Sequence, residues 1–293
     1  MLRISKSLGK KTVSGYPSAG IIYKPTIAAA DKLARVLEQK LPEMGTSAWL
    51  CSSWDEQKAK DLVTGTSMLI SIGGDGTILK TARAAIPWSI PILGINLGKL
   101  GFMTEVSAKD AVDVLPDFLA GKGWLDERAM IQAEINPQKD NPQTYYALND
   151  IAIGRGAKLR VINVSTSING AHLTSYKADG VIVSTATGCT GYALSCKGPI
   201  LNPRAKEMVL LPVAAHLTMS TPLVISATST VELQVQFDHQ AILSVDGQDE
   251  TELTSGDRIK ITRSTFTSHF LRMQPENYFY QTLVLKLSTK KEL

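Results

Sequence analysis

The chain has 293 residues, 44% of them hydrophobic and 20% charged, with a formal net charge of +4. That length supplies roughly two domains with sizeable cores, and so weak a positive charge suits polyanionic small molecules better than nucleic acid. Three scattered cysteines (Cys51, Cys189, Cys196) exclude a disulfide framework, four histidines lack metal-ligand spacing, and no apolar run reaches the roughly 18 residues of a membrane helix.

Residues 1–18, MLRISKSLGKKTVSGYPS, are basic, serine-rich and free of acids. A disordered extension has that composition, and so does a transit peptide. No apolar h-region is present, which argues against secretion, and the cysteine usage fits the reducing cytoplasm.

Residues 19–125 alternate short apolar runs with helical patterns. AGIIY reads as a strand, and Ile27, Leu33, Ala34, Leu37 and Leu41 follow at helical spacing. SAWLC, SMLISI and IPILGI read as further strands, with TILKTARAA as a helix between the last two. Ser107 and Asp110 form a capping-box pattern ahead of a helix that Pro116 is expected to kink or split. This alternation predicts an α/β open sheet, largely parallel.

Residues 126–274 change texture. VINVSTSINGAHLTSY is two strand-like runs joined by Asn169-Gly170, a hairpin signal. Val231, Leu233, Val235 and Phe237 alternate strictly with polar residues, as in a half-buried strand. Helical periodicity is almost absent, so an all-β sandwich C-terminal domain is expected. Residues 275–293 are expected to return to the N-terminal domain.

Five motifs carry chemistry. In GGDGT, the glycines Gly73, Gly74 and Gly76 permit close backbone approach to a ligand. Thr77 reads as the N-cap of the next helix, whose start attracts phosphate. Asp75 is anomalous there, because phosphate repels a carboxylate unless a metal or a proton transfer needs it. A plain glycine turn is the alternative. GINLGKLGFMTE places a second glycine loop at the same carboxyl edge, where open sheets bind ligands, with Phe102 able to stack on a base or to be core. Asn149-Asp150 could grip vicinal ribose hydroxyls or form a turn. The run from Tyr176 to Ile200 is crowded with glycine and hydroxyls and too poor in apolar bulk for a core. A helix after Gly191 could aim its N-terminus at phosphate. SVDGQ reads locally as a hairpin turn.

In order and spacing, GGDGT, NLGKLGF, ND, ADGVIVSTATGCTGYALSCKGPI and SVDGQ resemble the landmarks of the NAD kinase family, over roughly residues 20 to 285. GGDGT alone is shared with lipid kinases and phosphofructokinases, whereas the long fourth motif is specific. The resemblance implies transfer of phosphate from ATP, with Mg²⁺ on the donor phosphates, to the adenosine-ribose 2′-hydroxyl of NAD. It implies Asp75 as general base with Gly76 beside it, and Asn149 and Asp150 holding NAD near the ribose. Thr190, Gly191, Tyr192, Ala193, Leu194 and Ser195 would line the nicotinamide side, and Phe102 would lie near the adenine. Lys80, Arg160, Lys177, Asp179 and Gln248 fall at further ligand positions, some reached from a neighbouring subunit, so a homodimer or homotetramer is implied. Lys177 favours ATP over polyphosphate as donor. Ala186, Cys189 and Gly191 depart from the family's usual Pro, Ser and Ala, and Thr221 stands where an arginine is frequent. A non-catalytic NAD(H)-binding regulator and a lipid or nucleotide kinase sharing GGDGT are the competing readings.

Overall fold

The computed structural model describes residues 15–98, 101–158, 160–216 and 219–288. Residues 1–14 of the basic extension, and Lys99 and Leu100 of the second glycine loop, lie outside the described residues. The chain divides into two compact units, residues 1–127 with 268–293, and residues 128–267. The return to the first unit falls at Ser268, within a strand and ahead of the position expected from composition.

The first unit contains β1 (Ser18–Tyr23), α1 (Ala28–Glu43), β2 (Ser47–Ser52), α2 (Glu56–Leu62), β3 (Met68–Ile72), α3 (Asp75–Ala85), β4 (Pro91–Asn96), β5 (Val106–Ser107) and α4 (Ala111–Leu119). Its strands pair in parallel in the order β2-β1-β3-β4, with β5 beside the carboxyl end of β4. Central β3 is buried at every residue, which is why MLISI reads as a continuous apolar run without alternation. α1 has no side-chain cap at its N-terminus, and a single helix of that length is marginal alone. Its stability comes from the face formed by Ala30, Ala34, Leu37 and Leu41, packed with Ile21, Ile70 and Leu93. Burying each leucine contributes about 1.5–3 kcal/mol, so a charge at Leu37 would remove the helix's anchor. α4 runs through Pro116 as one helix and is not split. The capping box is also not made: the Ser107 hydroxyl bonds the Asp110 carboxylate, and Asp110 becomes the N-cap.

β6 (Trp124–Ile135) carries the chain into the second unit, followed by β7 (Gln143–Ala147), β8 (Asp150–Arg155), β9 (Ile162–Ile168), β10 (Ala171–Ala178) and β11 (Gly180–Thr185). A 3-10 turn (Gly188–Thr190) and α5 (Tyr192–Ser195) precede β12 (Met208–Val213), β13 (Leu223–Ile225), β14 (Val231–Gln236), β15 (Ala241–Val245) and β16 (Asp249–Leu253). β17 (Arg258–Arg272) leads back to the first unit, where His269 and Phe270 pair in parallel with Pro91 and Ile92 of β4, and α6 (Tyr278–Ser288) follows.

The second unit holds two antiparallel sheets, β10-β9-β14-β17 and β13-β12-β11-β8-β15-β16. Val164, Val231 and Leu233 of the first meet Ile151, Ile153, Val181, Val183 and Leu243 of the second in one core. The alternate residues Ala152, Ile182, Val209 and Leu211 face the other way, and Cys189 and Ala193 pack on them. β11 is therefore buried on both faces, and the segment rich in glycine and hydroxyls is a layer laid over the sandwich.

Candidate active site

In the first unit, β3 and β4 are parallel, so the loops that leave them emerge at one carboxyl edge. Gly73 is tied to β4 by its N–H bond to the Ile95 carbonyl. Gly74 is the N-cap of α3 and Asp75 its first helical residue. Thr77 is therefore not the cap, as the spacing led us to expect, but sits in the first turn with its N–H bonded to Gly74 O. Its buried side chain occupies the place a Cβ at position 73 would take, which requires glycine there. Gly74 and Gly76 are exposed, leaving bare backbone at the mouth of the helix.

Asp75 is partly buried. Its carboxylate accepts the N–H of Phe102 on one oxygen and that of Met103 on the other, each at 3.3 Å. Gly101 completes this cradle, because a Cβ there would overlap the same carboxylate. The second glycine loop thus orients Asp75. Phe102 itself is only 8% exposed. Its ring lies under the Lys286 ammonium, 5.6 Å from the centroid, and is not an open stacking platform. Lys80 and Arg83 of α3 both face Glu56, at 3.5 and 3.6 Å.

In the second unit the organising group is one that local sequence reading takes for a turn. Asp246 and Gly247 join β15 to β16 with φ of 54° and 63°, the paired positive values of a tight hairpin turn. The buried Asp246 carboxylate accepts three backbone N–H groups, from Asn149 at 2.7 Å and from Leu148 and Asp150 at 3.2 Å each. The Asp246 N–H returns a bond to Asp150 O at 2.9 Å. Nothing local marks this role, since the partners lie 96 to 98 positions away.

The Asn149 carbonyl accepts from Thr185 N–H at 2.8 Å and from the Ser184 hydroxyl at 3.2 Å. Gly188 is required because a Cβ there would overlap that carbonyl. With its backbone pinned on both sides, Asn149 presents a side-chain oxygen that is buried and has no partner. Such an atom is costly to leave unmet, and a hydroxyl of a ligand would satisfy it. A Cβ at Gly191 would lie 3.6 Å from the Asn149 amide nitrogen, so Gly191 shapes the same corner.

Burial, reinforced by the Asp246 charge, pushes the Asp150 carboxyl up from 3.8 to about 7. Below that pH it is a hydroxyl donor as well as an acceptor. A raised native pKa means that the folded state binds more protons than the unfolded one between about pH 4 and 7, so stability declines as pH rises through that window. Asp150→Asn is expected to remove this slope. In urea titrations, the wild type should lose on the order of 1–4 kcal/mol relative to the variant between about pH 5 and pH 8. An unchanged difference would refute the assignment.

The structure brings Asn149 and Asp150 together with the run from Ser184 to Gly191. It gives the remaining expected residues varied surroundings. Asp179 is held by Arg155, whose Nε donates to Oδ1 at 3.0 Å. Thr190 donates its hydroxyl to Thr187 O, Tyr192 and Ser195 are exposed, Ala193 is buried, and Leu194 is intermediate. Arg160 is exposed and lies 3.4 Å from Asp238, Lys177 is exposed, and Gln248 follows the Asp246-Gly247 turn. The expected helix after Gly191 is a single turn, α5, too short to aim a dipole at phosphate. Cys189 is a core residue, its thiol pushed by burial up to about 11, so its departure from serine falls on packing.

The chain is similar to known proteins along most of its length. Residues 21–123 match the family model described as the ATP-NAD kinase N-terminal domain, and residues 148–273 match the ATP-NAD kinase C-terminal domain. The chain is 45% identical over 279 residues to a protein named NAD kinase from Dehalococcoides mccartyi, covering 94% of this chain and 98% of that one. It is 38% identical over 267 residues to a NAD kinase from Chloroflexus aurantiacus, covering 91% and 97%. Among solved structures, a yeast NADH kinase complexed with NADH shares the fold with a TM-score of 0.83 at 22% identity, covering 96% and 91%. A NAD kinase from Archaeoglobus fulgidus in complex with ATP aligns with a TM-score of 0.73 at 25% identity, covering 92% and 98%.

Proposed function

Since the chain belongs to the NAD kinase family, we propose how its own residues divide the work of phosphorylating NAD to NADP. The activity is that of a phosphotransferase with an alcohol acceptor and ATP as donor. The observation that carries the reading is the Asp75 carboxylate, fixed by two N–H groups between the exposed glycines 74 and 76 at the start of α3.

A ribose hydroxyl is too weak an acid to ionise beforehand. Asp75 takes the proton as the 2′-oxygen bonds to the γ-phosphorus, while the bond to the bridging oxygen breaks and ADP leaves with its electron pair. The bare backbone of the exposed Gly74 and Gly76 lets the phosphoryl group approach, while the buried Gly73 shapes the turn beneath them, and the N-terminus of α3 favours its charge. Asn149 and Asp150 hold the vicinal hydroxyls. The Asn149 oxygen accepts and its amide donates, and the Asp150 carboxyl, pushed up by burial and the Asp246 charge, accepts and, when protonated, also donates. Within the second unit, Thr190 to Ser195, Asp179 and Gln248 would line the remainder of the NAD site, with Arg160 and Lys177 as further ligand positions; Lys80 and Phe102 stand in the first unit, where Lys80 faces Glu56 and Phe102 is buried.

Among the described residues, no group of three or more His, Cys, Asp or Glu side chains could hold a metal ion. The donor phosphates are the ligands that would carry Mg²⁺, which offsets their charge beside Asp75. No helix among the described residues is long and apolar enough to cross a membrane. We place the enzyme in the cytoplasm as a homodimer or homotetramer, which sedimentation equilibrium would distinguish.

Phosphorus NMR of NAD and ATP incubated with the protein tests the reading. It should show a new phosphomonoester on the adenosine ribose at the 2′ position. A monoester elsewhere, or none, would overturn it. With polyphosphate in place of ATP no product is predicted, because Lys177 puts a charged residue where the family resemblance associates charge with ATP-restricted members.

A further inference from the structure

The loop that cradles Asp75 is itself held by a buried ionic network. Arg272, the last residue of β17, is 6% exposed. Its Nη1 donates to the Met103 carbonyl at 2.9 Å and to the Thr104 carbonyl at 3.3 Å, and lies 3.3 Å from Glu105 Oε2. Its Nε donates to Asp126 Oδ2 at 3.2 Å. The other Glu105 oxygen accepts the N–H groups of Met273 and Gln274 at 2.8 and 2.9 Å. Residues 103–105 and 272–274 are thus laced together in both directions.

Such a network is expensive to desolvate and contributes little net stability, so its geometry calls for a reason. The peptides on either side of the Met103 Cα supply one. The first donates its N–H to Asp75, and the second offers its carbonyl to Arg272. Only a planar fork serves two adjacent carbonyls and two carboxylates at once; a lysine at the same position cannot. Both peptides pivot on the Met103 Cα, so the guanidinium's hold on the carbonyl side limits how far that Cα, and with it the N–H that meets Asp75, can shift.

The geometry points to Arg272 as a positioning residue for Asp75, acting through the Met103 backbone, with Glu105 holding the guanidinium in place. This deepens the reading of Asp75 as proton acceptor and rests on it. Small misplacements of reacting groups are amplified in rate, so the effect belongs in kcat.

The test is steady-state kinetics on Arg272→Lys, Glu105→Gln, Asp75→Asn and the two double variants with Asp75→Asn, each shown to be folded by circular dichroism. Arg272→Lys should lower kcat about tenfold or more, and Glu105→Gln roughly three- to tenfold, with KM for NAD changed by less than about twofold. In the Asp75→Asn background, neither should cost anything further, because a residue that acts only through Asp75 has nothing left to position. A merely structural role would instead multiply the losses. Full kcat for folded Arg272→Lys, multiplicative losses, or a change confined to KM would overturn the proposal. If Arg272→Lys fails to fold, full kcat in Glu105→Gln overturns it alone. A null result for Asp75→Asn itself would instead strike the underlying reading.

Discussion

Replacing Asp75 with asparagine is expected to lower kcat for NADP formation by roughly 10²–10⁴-fold, the range lost when a general base is removed. The substitution keeps the shape and still offers one oxygen to the loop N–H groups, which the wild-type carboxylate meets at 3.3 Å. KM for NAD should therefore stay within about threefold, since a proton acceptor acts in the transition state and not in ground-state binding. Steady-state kinetics reads both. Wild-type turnover in the variant would remove Asp75 from the chemistry.

Replacing Asp246 with alanine is expected to have the largest effect on stability. It strands the N–H groups of Leu148, Asn149 and Asp150, which now share one carboxylate. A buried donor left unmet costs about 1–3 kcal/mol. Allowing for relaxation, the loss should be about 3–5 kcal/mol, read as a lower urea midpoint. Asp246→Asn should lose less, because one oxygen already serves both Asn149 and Asp150 and asparagine tolerates the positive φ of this turn. A loss below about 1 kcal/mol in the alanine variant would show that this cradle is not what fixes Asn149.

The two variants separate local from long-range information in the sequence. The α/β alternation was legible because each buried strand is a short apolar run and α1 repeats its apolar face at helical spacing. The β9–β10 hairpin was legible in Asn169-Gly170, whose φ values of 52° and 80° few other pairs adopt easily. Asp75 could be singled out because a carboxylate among phosphate-seeking glycines is chemically odd. Asp246 could not, since Asp-Gly in a hairpin explains itself locally and its N–H partners arrive from a distant strand. Gly101 was hidden for the same reason: its need for a bare Cα comes from Asp75, 26 positions earlier at the start of α3. The misplaced cap at Thr77 shows the limit of preference rules, because Gly74 begins the helix earlier and the threonine hydroxyl packs back on Gly73.

The most direct measurement is NADP accumulation by the purified wild-type protein given NAD, ATP and Mg²⁺, followed with a dehydrogenase that accepts NADP and rejects NAD. NADP should accumulate in step with ADP, and the Asp75→Asn protein should abolish most of both. ADP without NADP, or no nucleotide turnover at all, would contradict the assignment of this chain's residues to NAD phosphorylation.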